Sequence, residues 1–286
     1  MATTVKHLER WLREACILEA TARKPGNVHP EAGFTDVNYA DFVKSADIIA
    51  PVLAATRELG LGAAILEATT RTTARTAGNT NLGMILLLAP LAAVDPAVTL
   101  KDGVKDVLAL TTVDDARLVY RAIRLARPGG LGRVADQDVC DVPDVTLTAA
   151  MRLAAERDRI AAQYATGFVD VLDLSAPRLL DWSQPCGDWE HAVIGLQLSL
   201  LSEFPDTLIA RKCGPAVAND ASRRARTVLA AGWPESDEGV QRLNEFDRWL
   251  REDGHRRNPG TTADLVAAAL FTVLRDHQWR PRGVIV

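Results

Sequence analysis

Helical periodicity runs through almost the whole chain and constrains its fold more than any other feature. Leu8, Trp11, Leu12, Ala15 and Leu18 follow the spacing of an amphipathic helix and predict a first helix over about residues 4–22. Strand-like alternation is nearly absent, so the sequence predicts an all-α protein, one multi-helical globular domain over residues 1–286. Similar patterns predict further helices over 61–76, 81–94, 102–110, 114–126, 146–160, 161–174, 188–203, 206–231, 236–251 and 261–277.

Two local signals refine this outline. Asn38, followed three positions later by Asp41, predicts the N-cap of a helix that continues to Leu53. The segment 127–145 is the most irregular of the chain because it is rich in Gly, Pro and Asp. A loop of that length inside a compact domain is more often functional than idle, although it could instead mark a boundary between two helical lobes.

Composition and charge exclude several classes of protein. The 286 residues are 48% hydrophobic and 24% charged, which is ordinary for a globular protein. The net charge of −4 lacks the basic excess of a general nucleic-acid binder. The longest apolar run, 84–94, is too short to span a bilayer, and residues 1–20 do not resemble a signal peptide. We therefore predict a cytoplasmic protein with neither a nucleic acid nor a membrane as partner.

Cysteine and histidine spacing gives no metal site. The four cysteines have no C-x-x-C spacing, so they predict neither a zinc site nor a disulfide framework and favour a reducing compartment. The five histidines include no H-E-x-x-H or other close pair. The sequence also lacks the G-x-G-x-x-G, Walker A and G-x-S-x-G motifs, which disfavours dinucleotide oxidoreductases, P-loop NTPases and serine hydrolases.

Three polar loops, each beside an apolar helix, carry the functional signal. They comprise residues 23–27, 77–83 and 258–264. Loops rich in Gly or Pro end one helix and start the next, and they leave backbone N–H groups that suit a phosphorylated ligand. The first and the last lie far apart in sequence, so a fold that brings them together would give them a common pocket.

Each loop also has a purely structural interpretation. Gly78 and Asn79 fit an ordinary turn between helices, and Thr261 with Asp264 fits the capping pattern [ST]-x-x-[DE]. Lys24, on a turn stiffened by Pro25, fits either an anion ligand or a solvated surface lysine. Composition does not decide between these alternatives.

Two carboxylates stand out for different reasons. Glu19 falls on the apolar side of the first helix, where a charge must be paired or lie at a cleft because burying it alone is costly. Asp206 precedes two basic residues, Arg211 and Lys212, although it could simply cap the helix that begins there.

At these positions the sequence resembles the triphosphoribosyl-dephospho-CoA synthase family. The matching stretches follow the family's order across nearly the whole chain: 18–26, Gly78-Asn79-Thr80, Asp206-Thr207 with Arg211 and Gly214, and 259–265. The resemblance implies an all-α fold and transfer of the triphosphoribosyl unit of ATP to a dephospho-CoA ribose, with release of adenine.

The chain departs from the family's pattern at three places. Asn81 and Leu82 stand where the family usually has His and Lys, and His29 stands where it has Asp. The family's Gly-Glu pair is replaced within residues 129–132. The chain therefore resembles a divergent branch, similar to homologues from archaea and from bacteria with tetrahydromethanopterin-linked one-carbon pathways.

The resemblance implies a set of site residues. We predict Glu19 and Asp206 as the catalytic pair, one as general base and the other holding Mg²⁺ or the ribose hydroxyls. Mg²⁺ is expected to accompany ATP, with no metal ligands assigned. Asp36, Asp136, Asp138 and Asp264 are second-rank candidates. The predicted substrate-binding residues are Lys24, Gly26, Asn79, Thr80, Asn81, Arg211, Gly260, Thr261, Thr262 and Asp264.

Three functions compete at this point. The first is the transferase, which acts on a nucleotide and a CoA-like or other cofactor-precursor hydroxyl, including one in tetrahydromethanopterin or methanofuran-linked cofactor assembly. The second is a Mg²⁺-dependent hydrolase of a nucleotide or ADP-ribose-like bond. The third is a non-catalytic helical partner, which predicts that Glu19, Lys24 and Asp206 lie apart or exposed. A homodimer is an open alternative.

Overall fold

Helices make up nearly all the regular structure of the chain. The computed structural model describes residues 2–76, 81–132, 134, 136–184 and 187–281, and within them the only β-type pairing is an isolated bridge between His29 and Ala32. The all-α prediction is confirmed. The helices are α1 Ala2–Thr21, α2 Tyr39–Ala54, α3 Thr56–Leu59, α4 Leu61–Thr73, α5 Leu82–Ala93, α6 Leu100–Ala109, α7 Val113–Ala126, α8 Leu147–Ala154, α9 Arg159–Thr166, α10 Ala176–Ser183, α11 Trp189–Glu203, α12 Thr207–Cys213, α13 Pro215–Ala230, α14 Asp237–Arg251 and α15 Gly260–Asp276, with a π-helical segment Asp170–Ser175 before α10.

The centre of the molecule is formed by α5 and α15. Both are apolar on nearly all sides, as buried helices must be, and residues 265–274 of α15 are all buried. Around them pack α1, α4, α10 and α11. Among the described residues no single helix is long and apolar enough to cross a membrane, and the bent pair α11–α12 meets that test only by combined length and composition.

A second, smaller apolar cluster joins α11 to α12, α13 and α14. It contains Ile194 and Leu198 of α11 together with Ile209, Ala221 and Phe246. Other residues of α11 belong to the larger core, so this helix lies between the two clusters and contacts both. The helices form a single globular domain. This arrangement places the starts of α12 and α15 side by side.

Several helix boundaries follow their local signals. The first helix was predicted within two residues at its start, and the capping box of Asn38 and Asp41 is present, with each backbone N–H bound by the other's side chain. The predicted helix 206–231 is wrong because it is broken in two. Gly214 adopts a φ of 91°, and Pro215 starts the next helix.

The predicted helix 161–174 is also wrong in its extent. It ends at Gly167, which takes the left-handed conformation that terminates many helices. The chain then re-enters a π-helical turn at Asp170 and continues into α10, which has no counterpart among the predicted helices. The short helix α3 was missed as well.

Candidate functional site

The three polar loops meet at one cleft of about 190 Å³. The first loop contributes Asn27, the second contributes Asn81 and Gly83, and the third contributes Gly260 and Asp264. Glu19 of α1 lines the same cleft. Loops that are more than two hundred residues apart in sequence therefore share a site. Two predicted ligands, Asn79 and Thr80, lie outside the described residues.

A hydrogen-bond network fastens the first loop to the third. The side-chain amide of Asn27 donates to Asn258 Oδ1 at 2.8 Å and accepts at its own oxygen from Gln197 at 2.6 Å. Gly26 has a φ of 76°, and its N–H donates to Asp247 at 2.7 Å. A side chain at Gly26 would collide with Leu250. Gly26 thus shapes the loop, and it does not line the cleft itself.

Asp264 presents its carboxylate to the cleft. It has no hydrogen bond or ion pair with any residue that the structure describes. Its carboxylate lies directly against Gly83, in the first turn of α5. Burial, together with the negative charges of Glu19 and Asp206, raises the pKa of Asp264 well above its ordinary value. An unpartnered carboxylate with a raised pKa is the group in this cleft best suited to exchange a proton.

The capping interpretation of Asp264 is wrong. Helix α15 begins at Gly260 with Pro259 as its N-cap and no side-chain cap. Thr261 is buried, and its hydroxyl lies 3.1 Å from that of Thr207 rather than on the α15 backbone. The helix therefore starts two residues earlier relative to Asp264 than the capping pattern requires, so the carboxylate does not cap the α15 backbone.

Glu19 and Lys24 form a buried ion pair. Lys24 Nζ lies 2.9 Å from Glu19 Oε1 and also donates to the backbone carbonyl of Glu19. The Lys24 side chain is fully buried, so its placement differs from the predicted phosphate ligand: its charge is taken up by Glu19. Glu19 does line the cleft. Burial raises its pKa, and the Lys24 ammonium opposes that change.

Asp206 joins the starts of two helices. Its Oδ1 accepts from the backbone N–H groups of Leu208 and Ile209 at 2.9 and 3.0 Å, which caps α12. Its Oδ2 accepts from both the N–H and the hydroxyl of Thr262 at 2.8 Å, in the first turn of α15. Asp206 and Thr262 are buried and are not among the described residues that line the cleft. Both residues therefore hold the starts of α12 and α15 together, and neither faces the cleft as predicted.

The two residues of the basic pair Arg211-Lys212 lie in different environments from those predicted. Arg211 forms an ion pair with Asp158, the N-cap of α9, and does not line the cleft. Lys212 does line it, and its ammonium has no partner among the described residues. Burial lowers the pKa of Lys212. Sequence analysis named Lys212 only as Arg211's neighbour, because no local rule says which of two adjacent bases faces a cleft.

Asn81 contributes a polar side chain to the cleft. It is 5% exposed and lines the cleft at the start of α5, and its Nδ2 has no hydrogen-bond partner in the described structure. A buried amide donor without a partner is unusual, and it is available to a ligand in the cleft.

The second-rank acids other than Asp264 lie in three different environments. Asp36 lies at the rim of the cleft, where its Oδ1 is 3.5 Å from Nε2 of His255. Asp138 is buried and accepts from the backbone N–H groups of Val134 and Cys140, so it shapes the 127–145 segment. Asp136 is exposed and does not line the cleft.

The 127–145 segment lies over the end of α12. A side chain on Gly129 would meet the stem of Lys212, and one on Gly130 would meet the backbone of Arg211. The glycines therefore let the segment pack closely against the helix that carries the cleft's basic side chain. A functional role for the segment stays a prediction.

The donor set fits a shared divalent cation. The described residues contain no group of three or more His, Cys, Asp or Glu side chains able to hold a metal by themselves. Asp264 nevertheless offers unpartnered carboxylate oxygens in the same cleft as Glu19. Mg²⁺ is commonly held by one or two carboxylates together with substrate phosphates and water. The residues therefore fit Mg²⁺ brought in with a phosphorylated substrate.

The all-helical fold and the acid-lined cleft together define an α-helical protein with a polar cleft beside the starts of α5 and α15. Comparison with known protein families gives the particular class. Residues 5–283 match the CitG family, described as ATP:dephospho-CoA triphosphoribosyl transferase, and the chain belongs to that family. The resemblance carried by the loop motifs is confirmed.

Individual relatives agree with this assignment. The chain is 27% identical over 118 residues to a protein from Acinetobacter calcoaceticus and 32% identical over 105 residues to one from Pseudomonas paraeruginosa, both named as 2-(5''-triphosphoribosyl)-3'-dephosphocoenzyme-A synthases. The matched stretches are 41% and 37% of this chain but only 40% and 35% of those proteins. A crystal structure from Archaeoglobus fulgidus, described as a triphosphoribosyl-dephospho-CoA synthase, has a TM-score of 0.64 and 26% identity, over 83% of this chain and 100% of that one.

The non-catalytic alternative predicted that Glu19, Lys24 and Asp206 lie apart or exposed, with no shared pocket. All three are buried, and Glu19 and Lys24 are in contact, which contradicts the first part of that prediction. Of the three, only Glu19 is among the described residues that line the cleft, so the second part is not contradicted.

Proposed function

We propose that the cleft binds ATP and transfers its triphosphoribosyl unit to a hydroxyl of dephospho-CoA or a closely related cofactor precursor, releasing adenine. The observation that carries the proposal is the unpartnered carboxylate of Asp264 beside Glu19. Family membership supplies the substrates.

The reaction places specific demands on the cleft. The bond between ribose C1 and the purine nitrogen breaks with its electron pair on the base, and the acceptor oxygen bonds to C1. Positive charge develops on the sugar, and carboxylates close to it stabilise that charge. Glu19 and Asp264 supply two carboxylates at the cleft. Asp264 takes the acceptor's hydroxyl proton as general base, and the departing adenine gains its proton from water.

Asp264 takes the place of Asp206 in the proposed catalytic pair. The reason is accessibility, because all the acceptor capacity that Asp206 shows is taken by α12 and α15. Glu19 keeps its predicted place at the reaction centre. Its ion pair with Lys24 fixes one carboxylate oxygen in place, which suits electrostatic stabilisation better than proton transfer.

The phosphate groups have one well-placed cation in the described part of the cleft. We propose Lys212 as the phosphate ligand in place of Lys24 and Arg211, with the Asn81 amide as a further donor. A single ammonium is little charge for a triphosphate. Mg²⁺ that enters with ATP on the substrate's own phosphate oxygens would supply the remaining positive charge when bound.

The test is a product analysis. The full chain is incubated with ATP, Mg²⁺ and dephospho-CoA, and adenine and the ribosyl adduct are followed by liquid chromatography and mass spectrometry. We expect stoichiometric adenine and adduct from the wild type and neither from Asp264→Asn. Adenine formed without an adduct would identify the Mg²⁺-dependent hydrolase instead. No adenine at all, under conditions where ATP raises the melting temperature, would reject these substrates for this cleft.

A further inference from the structure

One side of the cleft is apolar, and the proposed roles of Glu19 and Asp264 do not account for it. Four residues line it, and all come from one short stretch that runs from the end of the first loop into the first turns of α2: Val28, Phe34, Val37 and Phe42. Val28 and Val37 are buried, whereas Phe34 and Phe42 keep part of their surface exposed. Aromatic surface retained inside a cleft offers a contact to a flat heterocycle.

Phe34 is held in place before any ligand arrives. Its ring is stacked on the imidazole of His255, with 4.4 Å between the centroids and 20° between the planes. Asp36 lies 3.5 Å from the same imidazole. His255 belongs to the loop between α14 and α15, so the contact joins the wall to the opposite side of the cleft. A ring fixed in advance loses little conformational freedom when a ligand packs on it.

The wall is unsuited to the charged parts of a nucleotide. Its apolar side chains offer no hydrogen-bond donor, and the nearby Asp36 carboxylate would repel phosphate. The groups suited to phosphate and to a developing sugar cation are Lys212, Glu19 and Asp264, which come from other elements. Since these groups account for the phosphates and the sugar, the part of the nucleotide that suits the apolar wall is the base.

We infer that this apolar wall, formed by Val28, Phe34, Val37 and Phe42, is the binding site of the donor's purine base, with Phe34 as its main contact. The inference rests on the proposed function, which supplies a purine nucleotide as the ligand. It adds a basis for specificity, because contact with Phe34 favours binding of a nucleotide over binding of a ribosyl phosphate that has no base. It also holds the base beside the acids while the ribose C1–N bond breaks.

The test measures binding without turnover. Adenosine and inorganic tripolyphosphate are each titrated into the full chain by isothermal calorimetry. Phe34→Leu keeps an apolar side chain but removes the ring, and Phe34→Tyr keeps the ring. Base–aromatic stacking contributes about 1–3 kcal/mol, so we expect Phe34→Leu to weaken adenosine binding at least about fivefold. Phe34→Tyr should retain it, and tripolyphosphate affinity should be the same in all three proteins.

A matched control comes from another half-buried phenylalanine. Phe204 packs under the guanidinium of Arg159, 3.7 Å from its carbon to the ring centroid, and does not line the cleft. Phe204→Leu should leave adenosine affinity unchanged. If Phe34→Leu does not fold, Phe42→Leu examines the same wall by the same titration.

The outcomes separate this inference from the proposed function. Equal adenosine affinity in the wild type and Phe34→Leu would overturn the base site, as would absence of adenosine binding to the wild type. If ATP still releases adenine in either case, the transferase proposal stands alone. Ring-dependent adenosine binding without adenine release from ATP would support the base site and reject the transferase.

Discussion

The carboxylate of Asp264 occupies the space that a β-carbon on Gly83 would fill. The absence of a side chain at Gly83 is therefore what lets the carboxylate lie against the first turn of α5. Gly83 has no contact of its own to offer a substrate beyond its backbone. Its part in the site is to position Asp264.

Replacing Gly83 by alanine should move that carboxylate. A displacement of about 1 Å in a catalytic group can cost about 100-fold in rate, and we expect Gly83→Ala to lose about that much adenine-releasing activity. The extra methyl group should also cost about 1–3 kcal/mol of stability in urea unfolding. If Gly83 acts only through Asp264, adding Gly83→Ala to Asp264→Ala should cause no further loss of activity. A folded, fully active Gly83→Ala protein would contradict the assignment.

Asp264 should give both rate and stability a pH dependence. As general base it must be ionised, so activity should rise with pH through a folded-state pKa well above the ordinary carboxyl value. Because folding raises this pKa, its contribution to stability is fully present at low pH and is lost as pH rises through the folded value.

The matched variant for this effect is Asp264→Asn. It removes the titration with little change of shape, so its stability relative to the wild type should increase from about pH 4 toward neutral pH, by about 1.4 kcal/mol for each pKa unit of the shift. Urea unfolding at a series of pH values measures the difference. A difference that does not change with pH would show that the carboxylate is not energetically strained by burial.

Lys24 should matter for folding rather than for phosphate binding. Lys24→Met leaves Glu19 buried without its partner, and we expect a loss of about 3–5 kcal/mol in the free energy of unfolding. Adding Glu19→Gln should recover a large part of that loss. A Lys24→Met protein of normal stability with weakened nucleotide binding would return Lys24 to its predicted role.

Lys212 and Arg211 should behave in opposite ways. Losing one ammonium–phosphate contact worth about 1.5–3 kcal/mol should raise KM for ATP by about 10- to 100-fold in Lys212→Gln, with little effect on urea unfolding. Arg211→Gln should chiefly destabilise the protein, because it leaves Asp158 without its partner. Steady-state kinetics and unfolding of both variants give the comparison, and a reversed pattern would support the prediction from sequence.

Sequence patterns predicted the helical scaffold well where the information is local. The spacing in α1 and the capping box at Asn38 depend only on neighbours, and both are present in the structure. The break at Gly214 was missed although its signal is local: the glycine takes a positive φ, and Pro215 starts the next helix.

The sequence motifs indicated which loops come together, but they did not indicate which side chains of those loops face the cleft. The motifs pointed to loops that do share a cleft, but the partners of Lys24, Asp206 and Arg211 follow from tertiary packing. Sequence alone cannot tell a buried lysine that neutralises a glutamate from one that faces a ligand. The aromatic wall gave no motif because Phe34 meets His255 only after the chain has folded.

The double attachment of Asp206 has a mechanical consequence. Since one carboxylate ties the start of α12 to the start of α15, the helices that carry Lys212 and Asp264 are fixed relative to each other. The backbone positions of the proposed phosphate ligand and the proposed base are therefore set before a nucleotide enters, as the Phe34–His255 stack sets the position of the ring.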